Sequence, residues 1–369
     1  MENKSVTQSL LTVMFAVLVL AASNSIVRAI DCPPGASVWT DGVGSWFDQD
    51  NWDNGVPENK CALIDNDGVA TIDSTHGIAY AHALYLGTSQ GDSGSVTVDG
   101  GDLDIQPNFP FPDCPGTTYV GKKGTGTLTI QNGGTATSRF LYIGAETNPT
   151  QPNSNGTVTV ESGASLIINS GECLGAGICI GCDVDGNTGG TAVLEIKDAA
   201  VEVDNNAFAS PTPGVKVGPS GTLKGNSVLT LTGDTSTIRT ASILGTLAPS
   251  GTFRVEGNLD LSVNGINSAN TICHVTPTAN DKIEVKNATG GGQVTLGGRV
   301  TVIMIGTFTP GSTFTLLHAD GGRNNSTFAY TTILSIGSGC YTPTIVYDDT
   351  NKNVNLYLAP RNRCAIDEP

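Results

Sequence analysis

The sequence predicts an all-β protein whose chain winds into a right-handed parallel β-helix, a form of β-solenoid. Three observations support this prediction: a short run ending in glycine recurs six times between residues 84 and 245, alternating second runs recur between the copies, and helix-period patterning is absent from the mature chain. Strands of three to five residues cannot bury an apolar face alone. Equivalent strands must therefore stack about 4.8 Å apart along a common axis.

The glycine-ended runs align on their final glycine, which suits a corner where the backbone needs a positive φ. The copies are LYLG (84–87), TYVG (118–121), LYIG (141–144), ICIG (178–181), VKVG (215–218) and SILG (242–245). Successive glycines are 34, 23, 37, 37 and 27 residues apart. The variable spacing indicates loops of different length at one corner, which a solenoid tolerates because its loops face solvent.

The second runs alternate apolar and polar residues, as expected for strands with one face in a core. The predicted inward pairs are Val96/Val98, Leu128/Ile130, Val158/Val160, Leu194/Ile196 and Leu229/Leu231. The residues between them, predicted to face outward, are Thr97, Thr129, Thr159, Glu195 and Thr230. We therefore expect aliphatic ladders inside the coils and a ladder dominated by threonine outside.

Changes in composition divide the chain into four segments. Residues 1–29 have the polar start, apolar run and small residues of a secretory signal peptide, and the run is too short to span a bilayer. Residues 30–61 hold all three tryptophans and predict an N-terminal cap; residues 62–256 predict the β-helix coils. The longer alternating strands of residues 257–369 predict terminal coils and a C-terminal β capping module that prevents edge-to-edge association. We expect a secreted, extracellular or cell-surface protein.

The net charge narrows the classes of partner. Removing residues 1–29 leaves 33 acidic and 16 basic residues, a net charge of −17. Binding of such an acidic chain to nucleic acid or to an anionic membrane is unfavourable, because like charges repel. We expect no nucleic-acid partner and no membrane insertion of the mature chain, and we expect extracellular polysaccharide or cell-surface components as the partner class.

All nine cysteines lie in the mature chain, and an exported chain meets an oxidising compartment in which disulfides form. We predict disulfides between Cys32 and Cys61 and between Cys340 and Cys364, and one more among Cys173, Cys179 and Cys182. The spacing does not fix this pairing. An odd number leaves at least one thiol free or shared with another chain, and reduced, buried cysteines are the alternative.

Three tyrosines provide the first candidate binding site. Tyr85, Tyr119 and Tyr142 occupy the middle of the first run in three consecutive copies, and Cys179 and Lys216 continue the row. Coil stacking predicts an exposed ladder of rings, which suits a glycan platform. The alternative is that stacked tyrosines only stabilise parallel strands.

A short acidic loop provides a candidate metal site. Asp183, Asp185 and Asn187 place oxygen ligands at alternate positions, as in a calcium loop. The glycine of this loop comes one place early, and Leu194 stands where the bidentate carboxylate belongs. A solvated turn is therefore the alternative to a Ca²⁺ site, and no other cofactor is predicted.

The tryptophan pattern of the opening segment, the repeated LxLG and GTLTIxNGG units, and the stretch LGTLAPSGTFRVEGNLDL resemble secreted β-helical repeat proteins of bacteria. The similarity is to autotransporter passenger regions and adhesin-like repeat proteins, without a translocating barrel. This resemblance implies a β-helix fold over most of the mature chain. Its motifs are structural, so the function that it implies is a structural or adhesive one.

Enzymes of the β-helix class that act on polysaccharides provide the alternative. Such lyases use clustered carboxylates for calcium with a basic residue, and such hydrolases use a paired Asp-Asp beside a GHG motif. The sequence has one Asp-Asp pair, Asp348-Asp349, and no GHG, and its four histidines are scattered. We therefore expect a secreted, non-catalytic structural or adhesive protein, with a polysaccharide lyase or hydrolase, or a carbohydrate-binding module using the tyrosine ladder, as alternatives.

Overall fold

The computed structural model describes residues 35–105, 116–145, 154–169, 177–182, 189–205, 213–233, 239–262, 269–286, 292–337 and 339–361. The predicted signal peptide lies outside these ranges. Within them the chain forms 32 strands and one 3-10 turn, Gln49–Asn51, and contains no α-helix. No helix of these residues is long and apolar enough to cross a membrane.

The strands are short because a corner interrupts the chain every few residues. The first seventeen are β1 (Ser37–Val38), β2 (Val43–Ser45), β3 (Cys61–Ile64), β4 (Asn66–Asp73), β5 (Ala79–Ala81), β6 (Ala83–Leu86), β7 (Ser93–Asp99), β8 (Asp102–Ile105), β9 (Thr117–Val120), β10 (Thr125–Gln131), β11 (Thr135–Ser138), β12 (Phe140–Ile143), β13 (Asn155–Val160), β14 (Ser165–Asn169), β15 (Ile178–Ile180), β16 (Thr191–Ile196) and β17 (Ala200–Asn205).

The remaining strands become longer toward the C-terminal end. They are β18 (Val215–Val217), β19 (Gly221–Gly225), β20 (Val228–Gly233), β21 (Thr240–Ile243), β22 (Thr246–Pro249), β23 (Thr252–Glu256), β24 (Asn258–Asp260), β25 (Asn270–Val275), β26 (Lys282–Lys286), β27 (Val294–Thr295), β28 (Arg299–Ile305), β29 (Thr313–Ala319), β30 (Tyr330–Ile336), β31 (Tyr341–Asp348) and β32 (Asn353–Pro360).

These strands form three long sheets, and each complete coil gives one strand to each sheet. Sheet 1 has the order β1-β3-β6-β9-β12-β15-β18-β21-β24-β27, sheet 2 has the order β2-β4-β7-β10-β13-β16-β19-β22-β25-β28-β30, and sheet 3 has the order β5-β8-β11-β14-β17-β20-β23-β26-β29-β32-β31. In the described ranges, nine successive triplets from β3–β5 to β27–β29 pair in parallel with their neighbours. The predicted parallel β-helix is confirmed.

The core consists of aliphatic ladders that run along the axis. In sheet 2, Val96, Leu128 and Val158 lie opposite one another in consecutive coils, and Leu194 continues the row. All four side chains are buried. The inward pairs predicted for these four coils are therefore confirmed, and each strand buries alternate residues because successive side chains point to opposite faces.

Two of the predicted alignments between coils are wrong: one assigns a pair of residues to the wrong sheet, and the other is displaced by one residue. Leu229 and Leu231 belong to sheet 3, where Leu229 lies opposite Val201, and the residue that follows Leu194 in sheet 2 is Leu223. The second strand of this coil, β19, follows a turn of three residues and has a weaker alternating pattern than β20. In the last glycine-ended copy, Ile243 lies opposite Val217, because Leu244 adds a residue before the glycine.

The outer ladder of sheet 2 begins as predicted and then changes. Thr97, Thr129, Thr159 and Glu195 lie in register. The next member is Lys224, whose Nζ lies 3.0 Å from a carboxylate oxygen of Glu195. Thr230, predicted to continue this row, lies in sheet 3 instead and pairs with Glu202 and Glu256. The threonine ladder is thus interrupted after Thr159, and threonines return to this row only at the end of the sheet, at Thr301 and Thr332.

Glycine at the first corner is required by the backbone. Gly87, Gly121, Gly144 and Gly181 have φ between 62° and 71°, in the left-handed region. At Gly121 an added Cβ would also collide with the carbonyl group of Asn155 in the next coil. The predicted positive φ at this corner is confirmed for these four copies.

The three tryptophans pack together at the N-terminal end of the coils. Trp52 makes edge-to-face contacts with Trp39 and with Trp46, each with ring centroids 4.9 Å apart. Its Nε1 donates a hydrogen bond of 2.8 Å to the Trp46 carbonyl oxygen. All three rings are buried and belong to the same core as the coil aliphatics, which covers the first coil with large side chains.

At the C-terminal end the coil pattern stops in two steps. After β29, the strand β30 extends sheet 2 alone, pairing in parallel with β28. The strands β31 and β32 then form an antiparallel pair, and β32 lies antiparallel to β29 at the end of sheet 3. Sheet 3 is thus closed by a hairpin, whereas sheet 2 ends on a single strand.

Candidate functional site

The tyrosine ladder exists with the predicted register. Tyr119 lies opposite Tyr85 on one side and Tyr142 on the other. The rings stack with centroids 5.1 and 5.3 Å apart and planes inclined by 16° in both pairs. Cys179 and Lys216 continue the row, as the sequence predicts. Sheet stacking therefore holds three aromatic rings in a column parallel to the axis.

The predicted exposure of this column is wrong. Tyr85, Tyr119 and Tyr142 are only 5%, 6% and 8% exposed. Lys122, itself buried, places its Nζ 5.2 Å from the centroid of the Tyr85 ring and 5.3 Å from that of Tyr119, at the distance of a cation–π contact. The column does not form a flat open surface, and a glycan-binding role for the three tyrosines stays a prediction.

The described cysteines form both disulfides and a free thiol. Cys179 and Cys182 are joined, so the prediction of a disulfide within this cluster is confirmed. Cys61 and Cys340 are also disulfide-bonded, and their predicted partners Cys32 and Cys364 lie outside the described residues, as does Cys173. Cys273 is free and buried, and burial raises its thiol pKa to about 12. A thiol with this pKa is not a nucleophile at neutral pH.

The predicted calcium loop of Asp183, Asp185 and Asn187 lies outside the described residues. Among the residues that the structure does describe, no group of three or more His, Cys, Asp or Glu side chains is placed to hold a metal ion. The Ca²⁺ site therefore stays a prediction.

Coiling brings charged groups together on the outer face of sheet 3. Glu284 receives hydrogen bonds from Lys282 at 2.7 Å and from the Arg254 guanidinium at 3.1 Å, and Lys286 lies 3.6 Å away. The hydrogen bond from Lys282, followed by that from Arg254, lowers the pKa of Glu284 to about 2. A carboxyl group whose pKa lies so far below neutral pH is poorly suited to general acid–base catalysis. We therefore interpret the cluster as structural.

A second acidic group on the coils also has a structural role. Asp281 accepts hydrogen bonds from the backbone N–H of Gly251 and of His274, both at 2.7 Å, and the His274 Nδ1 lies 2.9 Å from its carboxylate. One oxygen of Asp281 thus ties the start of β26 to the preceding coil, and the other ties it to β25 of its own coil. Such tying orders the loop rather than presenting a reactive carboxylate.

The one adjacent pair of aspartates is split between two other contacts. Asp348 accepts hydrogen bonds from the side chain and backbone of Asn351, which lower its pKa. Asp349 pairs with Arg323, whose Nε lies 2.7 Å from its Oδ1. Asp348 therefore stabilises the turn between β31 and β32, whereas Asp349 ties that turn to the segment between β29 and β30. The two carboxyl groups do not have the shared environment expected of a hydrolytic acid pair.

A groove of about 340 Å³ lies on the outer face of sheet 1 and is the candidate binding site that the geometry provides. We call it the sheet 1 groove. Its floor is the outward ladder Ser242, Asp260 and Thr295, in register on three consecutive coils. Among the described residues, its lining is Pro213, Thr240, Ser242, Asn258, Leu259, Asp260, Gln293, Thr295 and Asn324.

The groove is lined mainly by amide and hydroxyl groups held in place by local hydrogen bonds. Asp260 accepts bonds from the Ser262 backbone N–H at 2.8 Å and from its hydroxyl at 2.6 Å. Asn258 accepts a bond of 3.1 Å from the backbone N–H of Gln293. Such groups offer both donors and acceptors, as ligands rich in hydroxyl groups require.

Sequence reasoning missed this groove because its lining comes from separate coils that are 18 to 35 residues apart in the chain. The usable signal was the change from apolar to polar residues at the middle position of the first run, from tyrosine through Lys216 to Ser242 and Asp260. No family model, curated protein or solved structure matches this chain.

Proposed function

We propose that this protein is a secreted, non-catalytic structural or adhesive β-helix protein of the cell surface. The observation that carries the proposal is the unbroken stacking of three sheets around one aliphatic core. Each strand gains its backbone hydrogen bonds from the coils beside it, so the fold itself produces an extended, ordered outer surface. Such a surface serves attachment and spacing without chemistry.

The pairing of charged groups supports the absence of catalysis in this proposal. Glu284 is paired with Lys282 of its own strand and with Arg254 of the preceding coil, and Glu195 is paired with Lys224 of the next coil. Active sites instead hold groups whose pKa values are shifted toward the working pH. The pKa of Glu284 is instead shifted away from neutral pH, which is the direction expected of a stabilising ion pair.

Two measurements together test the proposal: export of the protein, and its ability to cleave polysaccharides. The full chain and a variant that lacks residues 1–29 are expressed in parallel, and the protein is quantified in the medium, on the cell surface and inside the cell. We expect export of the full chain and retention of the shortened one. The purified protein is then incubated with neutral and acidic polysaccharides. Release of reducing ends or unsaturated products above a heat-inactivated control would favour the lyase or hydrolase alternative.

The sheet 1 groove favours a second candidate function, which is carbohydrate binding. Its amide and hydroxyl lining suits a chain of sugar hydroxyls. Asp260, the one acidic group among the lining residues that the structure describes, disfavours the binding of polyuronates. We therefore expect retention of the protein by a neutral polysaccharide in affinity electrophoresis. This proposal uses a different surface from the tyrosine ladder.

The two carbohydrate hypotheses separate by substitution. Ser242→Trp places a large ring in the groove, and Thr129→Trp places the same ring on the outer face of sheet 2 as a control. Loss of retention in Ser242→Trp alone supports the groove. Equal retention of the unmodified chain, Ser242→Trp and Thr129→Trp would show that the groove does not bind the polysaccharide. Loss of retention in a further variant, Tyr119→Phe, would instead indicate binding at the tyrosine column.

A further inference from the structure

The outer face of sheet 2 becomes apolar at its C-terminal end. Tyr330, Leu334 and Ile336 of β30 are 52%, 50% and 66% exposed, and Ile305 of β28 is 46% exposed. Ile305 lies opposite Ile336, and Ile303 lies opposite Leu334. We call these five residues the terminal patch. In the first coils the positions that correspond to Ile303 and Leu334 are held by Asp99 and Gln131, so the patch replaces polar residues of this face with apolar ones.

The terminal patch coincides with a free sheet edge. The strand β30 is the last of sheet 2, and among the described residues it forms a ladder with β28 only. Its seven residues, YTTILSI, include no charge, no proline and no glycine. Natural edge strands are usually protected by such residues or by being short. At the opposite end of the same sheet, the edge strand β2 has three residues and contains Gly44, which makes it a poor template.

The charge distribution indicates what approaches this edge. Residues 261–369 contain seven basic and seven acidic residues, whereas residues 1–260 contain 11 basic and 27 acidic residues. The entire net charge of −16 therefore belongs to the preceding part of the chain. Two copies that meet through their C-terminal strands bring their neutral segments together and avoid a close approach of like charges.

We propose that β30 docks against β30 of a second copy, antiparallel across a two-fold axis, and forms a tail-to-tail dimer. With the axis at Ile333, the centre of the strand, Tyr330 lies opposite Ile336 of the second copy. Aromatic and β-branched residues opposite one another stabilise antiparallel strands. The pairing uses the free edge of both copies, so the assembly closes at two chains. This inference is independent of the proposed function, because it does not require a glycan or a cell surface.

The test measures the mass of the full chain in solution by sedimentation over a wide range of concentration. We expect a reversible rise to twice the chain mass and no further. Leu334→Lys with Ile336→Lys is expected to weaken dimerisation by at least about tenfold, because it removes the apolar side chains that face Thr332 and Tyr330 of the second copy and places two charged groups of each chain in the interface. Both positions are half-exposed or more, so this variant keeps its core and its thermal transition.

Val43→Lys is the matched control, since Val43 is 72% exposed on the edge strand at the other end of the same sheet. It is expected to dimerise like the unmodified chain. Raising the salt concentration is expected to strengthen dimerisation, because it screens the acidic parts of the two copies. A chain that stays monomeric throughout, a mass that rises beyond two copies, or an equal loss in Val43→Lys overturns the proposal.

Discussion

Replacing Tyr119 by alanine is the sharpest test of the tyrosine column. The ring lies between those of Tyr85 and Tyr142, at 5.1 and 5.3 Å, and beneath Lys122. Removal of a buried aromatic side chain costs about 3–5 kcal/mol, of which each stacked pair accounts for about 0.5–1.5 kcal/mol. We therefore expect Tyr119→Ala to lower the free energy of unfolding by about 3–5 kcal/mol.

Urea unfolding followed by tryptophan fluorescence measures this loss. Trp39, Trp46 and Trp52 all lie at the N-terminal end, so their signal reports on the coils nearest the column. A stacked repeat array loses stability locally, through the interfaces on either side of the altered coil. The transition is therefore expected to shift at this end first.

Two variants make the result interpretable. Tyr119→Phe keeps the stacked ring and is expected to shift the free energy of unfolding by no more than about 1 kcal/mol. Thr129→Ala removes an outward side chain in the same coil and is expected to stay within about 0.5 kcal/mol of the unmodified chain. If Tyr119→Ala unfolds at the same urea concentration as Thr129→Ala, the column is not part of the core and our structural interpretation is refuted.

Three further perturbations follow from backbone geometry and titration. Gly121→Ala is expected to lower the free energy of unfolding, measured in urea, by about 2 kcal/mol or more. Gly133→Ala, at a glycine with similar φ but open space where the Cβ would lie, is expected to lower it by only about 1–2 kcal/mol. Equal losses in the two variants would contradict the steric argument. Since the pKa of Glu284 is about 2 when folded and 4.5 ordinarily, its ionised form stabilises the fold above about pH 4.5, and this contribution is lost toward pH 2. The stability of Glu284→Gln should therefore depend less on pH in that window, and an unchanged dependence in urea titrations removes the ion pair as its cause. Cys273 is expected to resist a charged thiol reagent in the folded protein and to react in urea, as followed by peptide mass spectrometry; rapid native labelling shows that it is accessible.

The stacked architecture was readable in the sequence because alternation and glycine corners are local signals. The register of Tyr85 with Tyr119 and of Val96 with Leu128 followed from aligning short runs, since a parallel sheet repeats each position in the next coil. The assignment failed where one coil has a weak second strand, because alternation alone does not identify the sheet to which Leu229 belongs. A local pattern therefore predicts strands better than it predicts their neighbours.

The sequence by itself determined that this chain is a parallel β-helix, because strands of this length and pattern satisfy their backbone hydrogen bonds only by stacking. The tertiary structure alone decided which surfaces are open. It buried Tyr119 beneath a lysine, joined Ser242 and Asp260 in a groove, and left Leu334 exposed on a free edge. Exposure depends on what covers a residue from other coils and loops, and that arrangement is not encoded in the neighbours of the residue along the chain.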